Sequence, residues 1–246
     1  MNNRVAICAV GGTIVGPRHS RDGALNQDAW ARYRFPHAVG VVVSDGVGSC
    51  VHARIGSRAA CLAVRDAVRS MDEQTTLVQL VERVSVAWRS RLRGHAPGDC
   101  AATCLFAMRN RAGRLWIGGI GDGLAAVVMG NGTGPLHVVP LRGGEFGETV
   151  ALGDGRESLG WVVNEFDDHS ASMRALLASD GIANDLAVDQ IGSFTNWVVD
   201  SFGRLPSRGW REQIRRQLMA WPTLGSIDDR ALAVLWPRLE SRTCQI

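Results

Sequence analysis

Apolar positions along the chain follow two periods, and the change between them marks the elements. Residues 5–15 are apolar and punctuated by glycine, which predicts a first strand. The next stretch, PRHSRDGALNQDAW, is polar and turn-rich. Residues 38–44 then form a β-branched apolar run that stops at Ser44-Asp45-Gly46, the pattern of a buried strand delivering an acidic side chain to an edge or cleft. From Ile55 the period becomes helical: Ile55, Ala59, Leu62, Ala63, Ala67 and Met71 share one face. Leu77, Val81, Val84, Trp88 and Leu92 repeat it in a second helix, after a break around residues 72–76. Residues 93–99, with two glycines and a proline, predict a loop.

The middle of the chain returns to short apolar runs at 101–108, 115–120, 124–129 and 136–141, separated by turns such as Asn110-Arg-Ala-Gly113 and Gly121-Asp122-Gly123. Consecutive short strands with tight connections favour an antiparallel sheet over βαβ crossovers. Residues 142–160 are glycine-rich with few apolar anchors and predict a mobile surface segment. Strands are expected at 161–166 and at 174–179, the latter ending in a second Ser-Asp-Gly at Asp180. Helical patterns follow over 186–202 and through Trp210, Ile214, Leu218 and Trp221, closed by Pro222. A last strand, 231–236, is preceded by Asp228-Asp229. No repeat or linker divides the chain, so a single domain over residues 1–246 is expected.

Composition narrows the function classes. With 246 residues, 46% hydrophobic, the chain carries enough apolar material for a sizeable core. A net charge of +3 calls for neither nucleic acid nor an anionic membrane as partner. No apolar run approaches the ~20 residues of a membrane span, and the N-terminal apolar stretch lacks a cleavage pattern. The expected location is the cytoplasm, where the six cysteines, without metal-like spacing, are reduced thiols.

Candidate chemistry comes from aspartate. Asp45 alone is compatible with an ordinary Asp-Gly turn. Yet Asp45, Asp122, Asp180 and Asp228-Asp229 all stand at strand boundaries in distant parts of the chain. Carboxylates brought together in this way repel unless protonated or neutralised by cations. Hard oxygen donors in that number point to magnesium or manganese, and the lack of Cys/His sets argues against zinc. Other signals are weaker. GGIGDG has the wrong spacing for a dinucleotide loop and precedes a strand-like run, and no G-x-S-x-G occurs. Arg204, Arg208, Arg211, Arg215 and Arg216 form a basic face that reads as solvated surface, with docking of an acidic or phosphorylated partner as the alternative. Trp88 and Trp221 read as packing residues.

The ordered series NQDA (26–29), VVVSDGVGS (41–49), GDCAATCL (98–105), IGDG (120–123), LLASDGI (176–182) and DDRALAVL (228–235) resembles the metal-dependent, type 2C serine/threonine protein phosphatases, and a bacterial subgroup in particular. The resemblance implies an α+β fold, a four-layer αββα sandwich of two antiparallel sheets flanked by helices, with metals in a cleft at one end. It implies that Asp45 bridges two Mg2+ or Mn2+ ions, with the Gly46 carbonyl on the second and Asp180 and Asp228 completing the first. Asp122 matches the ligand of a third, weaker ion, and Gln27 and Asp28 match residues that hold metal-bound water. Catalysis would rest on Asp45, Asp180 and Asp228. Two such ions lower the pKa of a shared water from 15.7 towards about 7, giving a hydroxide for in-line attack on phosphoserine or phosphothreonine in a protein substrate of a serine/threonine kinase.

Three departures bear on that reading. Gly23 stands where the family has a phosphate-binding arginine, so Arg18 or Arg21 would substitute through a shifted loop. Val47 replaces a histidine found in some members, leaving metal-bound water, or else His52, as proton donor. Asn184, beside Asp185, replaces an aspartate. The rival expectation is a phosphatase-like module, weak or inactive, that binds a phosphorylated partner.

Overall fold

The computed structural model describes residues 5–130, 134–141, 150–168, 172–203, 205–222 and 226–239. The chain begins with β1 (Val5–Ile14), α1 (Pro17–Arg21), β2 (Ala29–Arg34) and β3 (Ala38–Ser44), followed by α2 (Ala53–Arg69) and α3 (Leu77–Ser90). It continues through β4 (Cys104–Asn110), β5 (Arg114–Ile120), β6 (Leu124–Val128) and β7 (Leu136–Val138), then α4 (Glu157–Gly160) and β8 (Val162–Asp167). The last part holds β9 (Arg174–Ala178), α5 (Asp180–Ala183), α6 (Ile191–Phe202), α7 (Ser207–Met219) and β10 (Arg230–Leu239).

Side chains alternate across a strand, and β3 shows what its unbroken apolar run is for. Val39, Val41 and Val43 enter a core between two sheets. Ala38 and Val42 face the other way, into a second core shared with α2 and α3. The first sheet has the order β2-β3-β4-β5-β8 and the second β1-β10-β9-β6-β7, and their pairings are antiparallel. α6 and α7 cover the outer face of the second sheet through Val198, Phe202, Trp210, Ile214 and Leu218. The result is an α+β, four-layer αββα sandwich.

α2 and α3 start close to the expected positions. At α3 the Thr76 side chain accepts the Gln79 N–H while the Gln79 side chain accepts the Thr76 N–H, a capping box that fixes the helix start. Among the described residues no helix is long and apolar enough to cross a membrane.

Several expectations shift. β4 begins at Cys104 rather than 101, because Ala102 bridges Gly46 on one side and Leu152 on the other. β7 covers three residues of the expected 136–141. The polar stretch after β1 contains α1 and leads into β2. The pattern over 186–202 divides into a 3-10 turn at Val188–Gln190 and then α6, and Trp221 lies beyond the end of α7. Of the segment expected to be mobile, residues 142–149 lie outside the described residues, whereas the rest is anchored. Ala151 and Leu152 are buried, Leu152 and Ala102 exchange backbone hydrogen bonds of 2.9 and 3.1 Å, and the Glu157 carboxylate accepts from Arg89 and the Gly153 N–H.

Candidate active site

Strand ends of both sheets open into one cavity of about 220 Å³. Asp45 follows the last residue of β3, and its N–H and C=O both bond to Thr103, at 2.9 Å to the hydroxyl and 2.8 Å from the N–H. Asp122 sits in the β5–β6 turn between Gly121 and Gly123, whose φ values of +104° and +106° favour glycine. Asp180 opens α5 directly behind β9, and Asp228 precedes β10. The fold therefore brings together all four expected aspartates, lining one cavity with Gly46 and Gln27. Gly46 is tightly enclosed: a Cβ there would lie 2.5 Å from the Ala53 carbonyl oxygen.

Asp28 approaches from β2 and does not line the cavity itself. Its N–H bonds to the Asn26 side chain at 3.0 Å, an Asx-type turn, and Asn26 in turn donates to Thr13 at 2.9 Å. The Ser179 hydroxyl donates to Asp28 at 2.6 Å and accepts the Ala231 N–H at 2.8 Å, tying β2 to the second sheet beneath the cavity.

Sequence reasoning gave no separate role to Asp229, which organises the cavity rim. It is buried and accepts from the Gly16 N–H at 2.7 Å and the Gln27 N–H at 2.6 Å, and it bonds His19 Nδ1 at 2.9 Å. His19 and Thr103 also line the cavity without having been singled out. The doubled Asp228-Asp229 was the available signal, since neighbours at a strand start point to opposite sides.

Of the two arginines considered for phosphate, Arg18 lines the cavity with Nη1 3.8 Å from Asp228 Oδ1, while Arg21, on the same helix turn, is exposed and does not line it. Val47 lines the cavity. His52 does not; it packs against His95 with ring centroids 4.1 Å apart. Asn184 caps the end of α5, and Asp185 accepts from Trp221 Nε1 at 3.1 Å.

The electrostatics are those of crowded acids. Burial, with the charges of Asp229 and Asp180, pushes the Asp28 carboxyl up to about 7, even though hydrogen bonds with Asp45 and Ser179 act in the opposite sense. Asp45 is pushed well above the usual range, first by burial and then by Asp28, Asp180 and Asp122. Asp180 is raised by burial and by Asp122 and Asp228. Asp28 Oδ1 and Asp180 Oδ1 are buried without a hydrogen-bond donor. Facing carboxylates with orphaned oxygens need a proton or a cation between them. Among the described residues no three acidic, His or Cys side chains already form a metal-binding group. The fit to a cation is one of donor chemistry: all-oxygen, anionic, and suited to Mg2+ or Mn2+ rather than to a softer metal.

Residues 15–219 match the family described as Protein phosphatase 2C. The chain belongs to the protein phosphatase 2C family. No curated protein sequence matches it. Among solved structures it is similar to the RsbU and RsbW domains of a Mycobacterium tuberculosis protein, at 18% identity and a TM-score of 0.61. That match covers 96% of this chain but 61% of the other, so the chain spans under two thirds of that relative. RsbX in complex with magnesium is similar at 15% identity and a TM-score of 0.60, with 96% and 100% covered. A bacterial serine phosphatase is similar at 13% identity and a TM-score of 0.66, also with 96% and 100% covered. At these identities the structural likeness establishes the fold, and the bacterial phosphatases of the 2C type share it.

Proposed function

We propose that the protein is a cytoplasmic, metal-dependent phosphatase that hydrolyses phosphoserine or phosphothreonine esters on a protein substrate of a serine/threonine kinase. The observation that carries this reading is the crowding of Asp45, Asp180 and Asp28, two of them with orphaned buried oxygens, beside a cavity that also exposes Arg18. Family membership and the magnesium complex of RsbX support the choice of ion.

Asp45, the Gly46 carbonyl, Asp180 and Asp228 would hold two Mg2+ or Mn2+ ions, and Asp122 a third. When bound, such ions supply Lewis acidity towards phosphoryl oxygen and water. The chain's own residues do the positioning. Ser179 and Asn26 fix Asp28 against Asp45 beneath the cavity, so Asp28 acts through Asp45, while Gln27, which lines the cavity, would hold metal-bound water there. Asp229 holds α1 in place by bonding the Gly16 N–H and the His19 ring, so that Arg18 stands over Asp228 where a phosphate would enter. Arg18 then serves as the phosphate-binding cation in place of the family's arginine, a part for which Arg21 is turned away. Free cysteines among the described residues accord with a reducing compartment.

The deciding experiment is release of phosphate from a phosphoserine peptide with Mn2+ or Mg2+, with Asp45→Ala as control. Metal-dependent turnover that the substitution reduces to background is expected. Phosphopeptide binding without turnover at any metal concentration would overturn the enzyme reading in favour of a recognition module.

A further inference from the structure

A second groove, of about 490 Å³, lies apart from the aspartate cavity, between β1, β2 and α7. It is lined by Arg32, Arg211 and Arg215, by Trp30, and by the Gly11 to Thr13 stretch of β1. Among the described residues no acidic one lines it. Among the described residues none of the three arginines pairs with a carboxylate, although Arg216 on the same helix pairs with Glu212.

Arg32 and Arg211 are held in place rather than left to wander. The guanidinium groups of Arg32 and Arg211 lie over the buried ring of Trp210, 5.2 and 5.5 Å from its centroid. Trp30 meets the same ring edge-on at 5.9 Å. Arg32 also donates to the Ala9 carbonyl at 3.3 Å, and Arg34 to the Ile7 carbonyl. Partial burial and the charges of Arg211 and Arg34 pull the Arg32 guanidinium below its ordinary value, the mark of like charges gathered without compensation.

The backbone adds a second feature. β1 pairs with β10 on one side, and among the described residues no strand pairs with its other edge. Ile7 and Ala9 turn their carbonyls to that open edge, so Gly11 and Thr13, at the same alternation, turn their backbone groups there as well. An extended peptide laid along this edge has backbone partners at Gly11 and Thr13 and cations within reach of its side chains.

We propose that this groove docks an acidic peptide segment of a partner protein, with carboxylate or phosphate groups seated against Arg32, Arg211 and Arg215. Charge complementarity selects the occupant, and pre-positioning of Arg32 and Arg211 on Trp210 lowers the ordering cost of binding. The site is independent of the aspartate cavity, so its occupancy does not depend on phosphatase turnover.

The test is fluorescence anisotropy of a labelled, unphosphorylated ten-residue Asp/Glu-rich peptide, titrated with the full chain in metal-free buffer. Arg211→Gln and Arg215→Gln lie on the exposed face of α7 and are chosen to preserve the fold, checked by thermal melting. Each is expected to weaken binding about fivefold or more, and the double substitution to abolish it. Arg69→Gln, the same charge change on the helix layer of the other sheet, is expected to leave binding unchanged. Equal loss with Arg69→Gln, equal binding of a neutral peptide, or a response to inorganic phosphate but not to the peptide would each overturn the proposal.

Discussion

Replacing Asp28 by asparagine isolates the electrostatic cost built into the candidate site. In the folded chain the Asp28 carboxyl is displaced from 3.8 to about 7, chiefly by burial. The folded state therefore keeps a proton that the unfolded chain releases. The Asp28 contribution to the stability of the metal-free protein falls as pH rises from about 4 to about 7, and levels off above. At about 1.4 kcal/mol per pH unit, the displacement corresponds to about 4 kcal/mol at most. Asparagine does not titrate, can still accept the 2.6 Å bond from Ser179, and offers an amide donor towards Asp45. With a chelator present, the variant is expected to be more stable than the parent by about 2 to 4 kcal/mol at pH 8 and nearly equal to it at pH 4. Asp66 and Asp72, whose carboxyls are held below the ordinary value, act below this window, whereas Asp45 and Asp180 are raised and remain in both proteins, so the difference between the two curves is what reports Asp28. Urea unfolding followed by tryptophan fluorescence from pH 4 to 8 measures the effect. Parallel stability curves for the two proteins would refute the reasoning.

Three further outcomes follow from contacts already described. Gly46→Ala drives a Cβ to 2.5 Å from the Ala53 carbonyl oxygen and should lower Tm by several degrees, a cost of about 2 kcal/mol; an unchanged melt would contradict the close approach. Leu152→Ala should cost about 2 to 5 kcal/mol in chemical denaturation, because the residue is fully buried, whereas a position on a mobile surface segment would change stability by about 0.5 kcal/mol or less. Arg18→Ala should raise KM for a phosphopeptide while moving Tm little, since its 3.8 Å pair with Asp228 is largely exposed, and Arg21→Ala should leave the kinetics unchanged; equal effects of the two would remove Arg18 from phosphate binding.

The elements that were legible in sequence are those whose own residues decide them. β3 could be read because a run of β-branched residues has no alternative but burial on both faces. α2 and α3 could be read because a 3.6-residue apolar stripe repeats over several turns. α1 could not be read: a proline and four polar residues do not sustain a helix alone, and its hold comes from Asp229, some 210 positions away. β2, an edge strand with two arginines on its exposed side, carries too little apolar signal to stand out. The glycine-rich 150–160 stretch has the composition of a loose loop and is held instead by Leu152 against Ala102.

The candidate site divides in the same way. By itself the sequence determined which residues carry charge at strand ends, because apolar runs must stop where a carboxylate begins, and it gave the ordered series that marks the family. Residue patterning read Asp228 and Asp229 as one doubled signal, and only the resemblance singled out Asp228. Only the packing of two sheets, which brings strand ends from residues 45, 122, 180 and 228 to one cavity, decided that Asp228 is a half-exposed rim carboxylate and Asp229 a buried anchor. The same packing decided that Arg18 faces the cavity and Arg21 does not, and that Arg32 meets Arg211 and Arg215 across a groove. Local propensity acts over a few residues, whereas these juxtapositions arise from long-range burial that no short window of sequence contains.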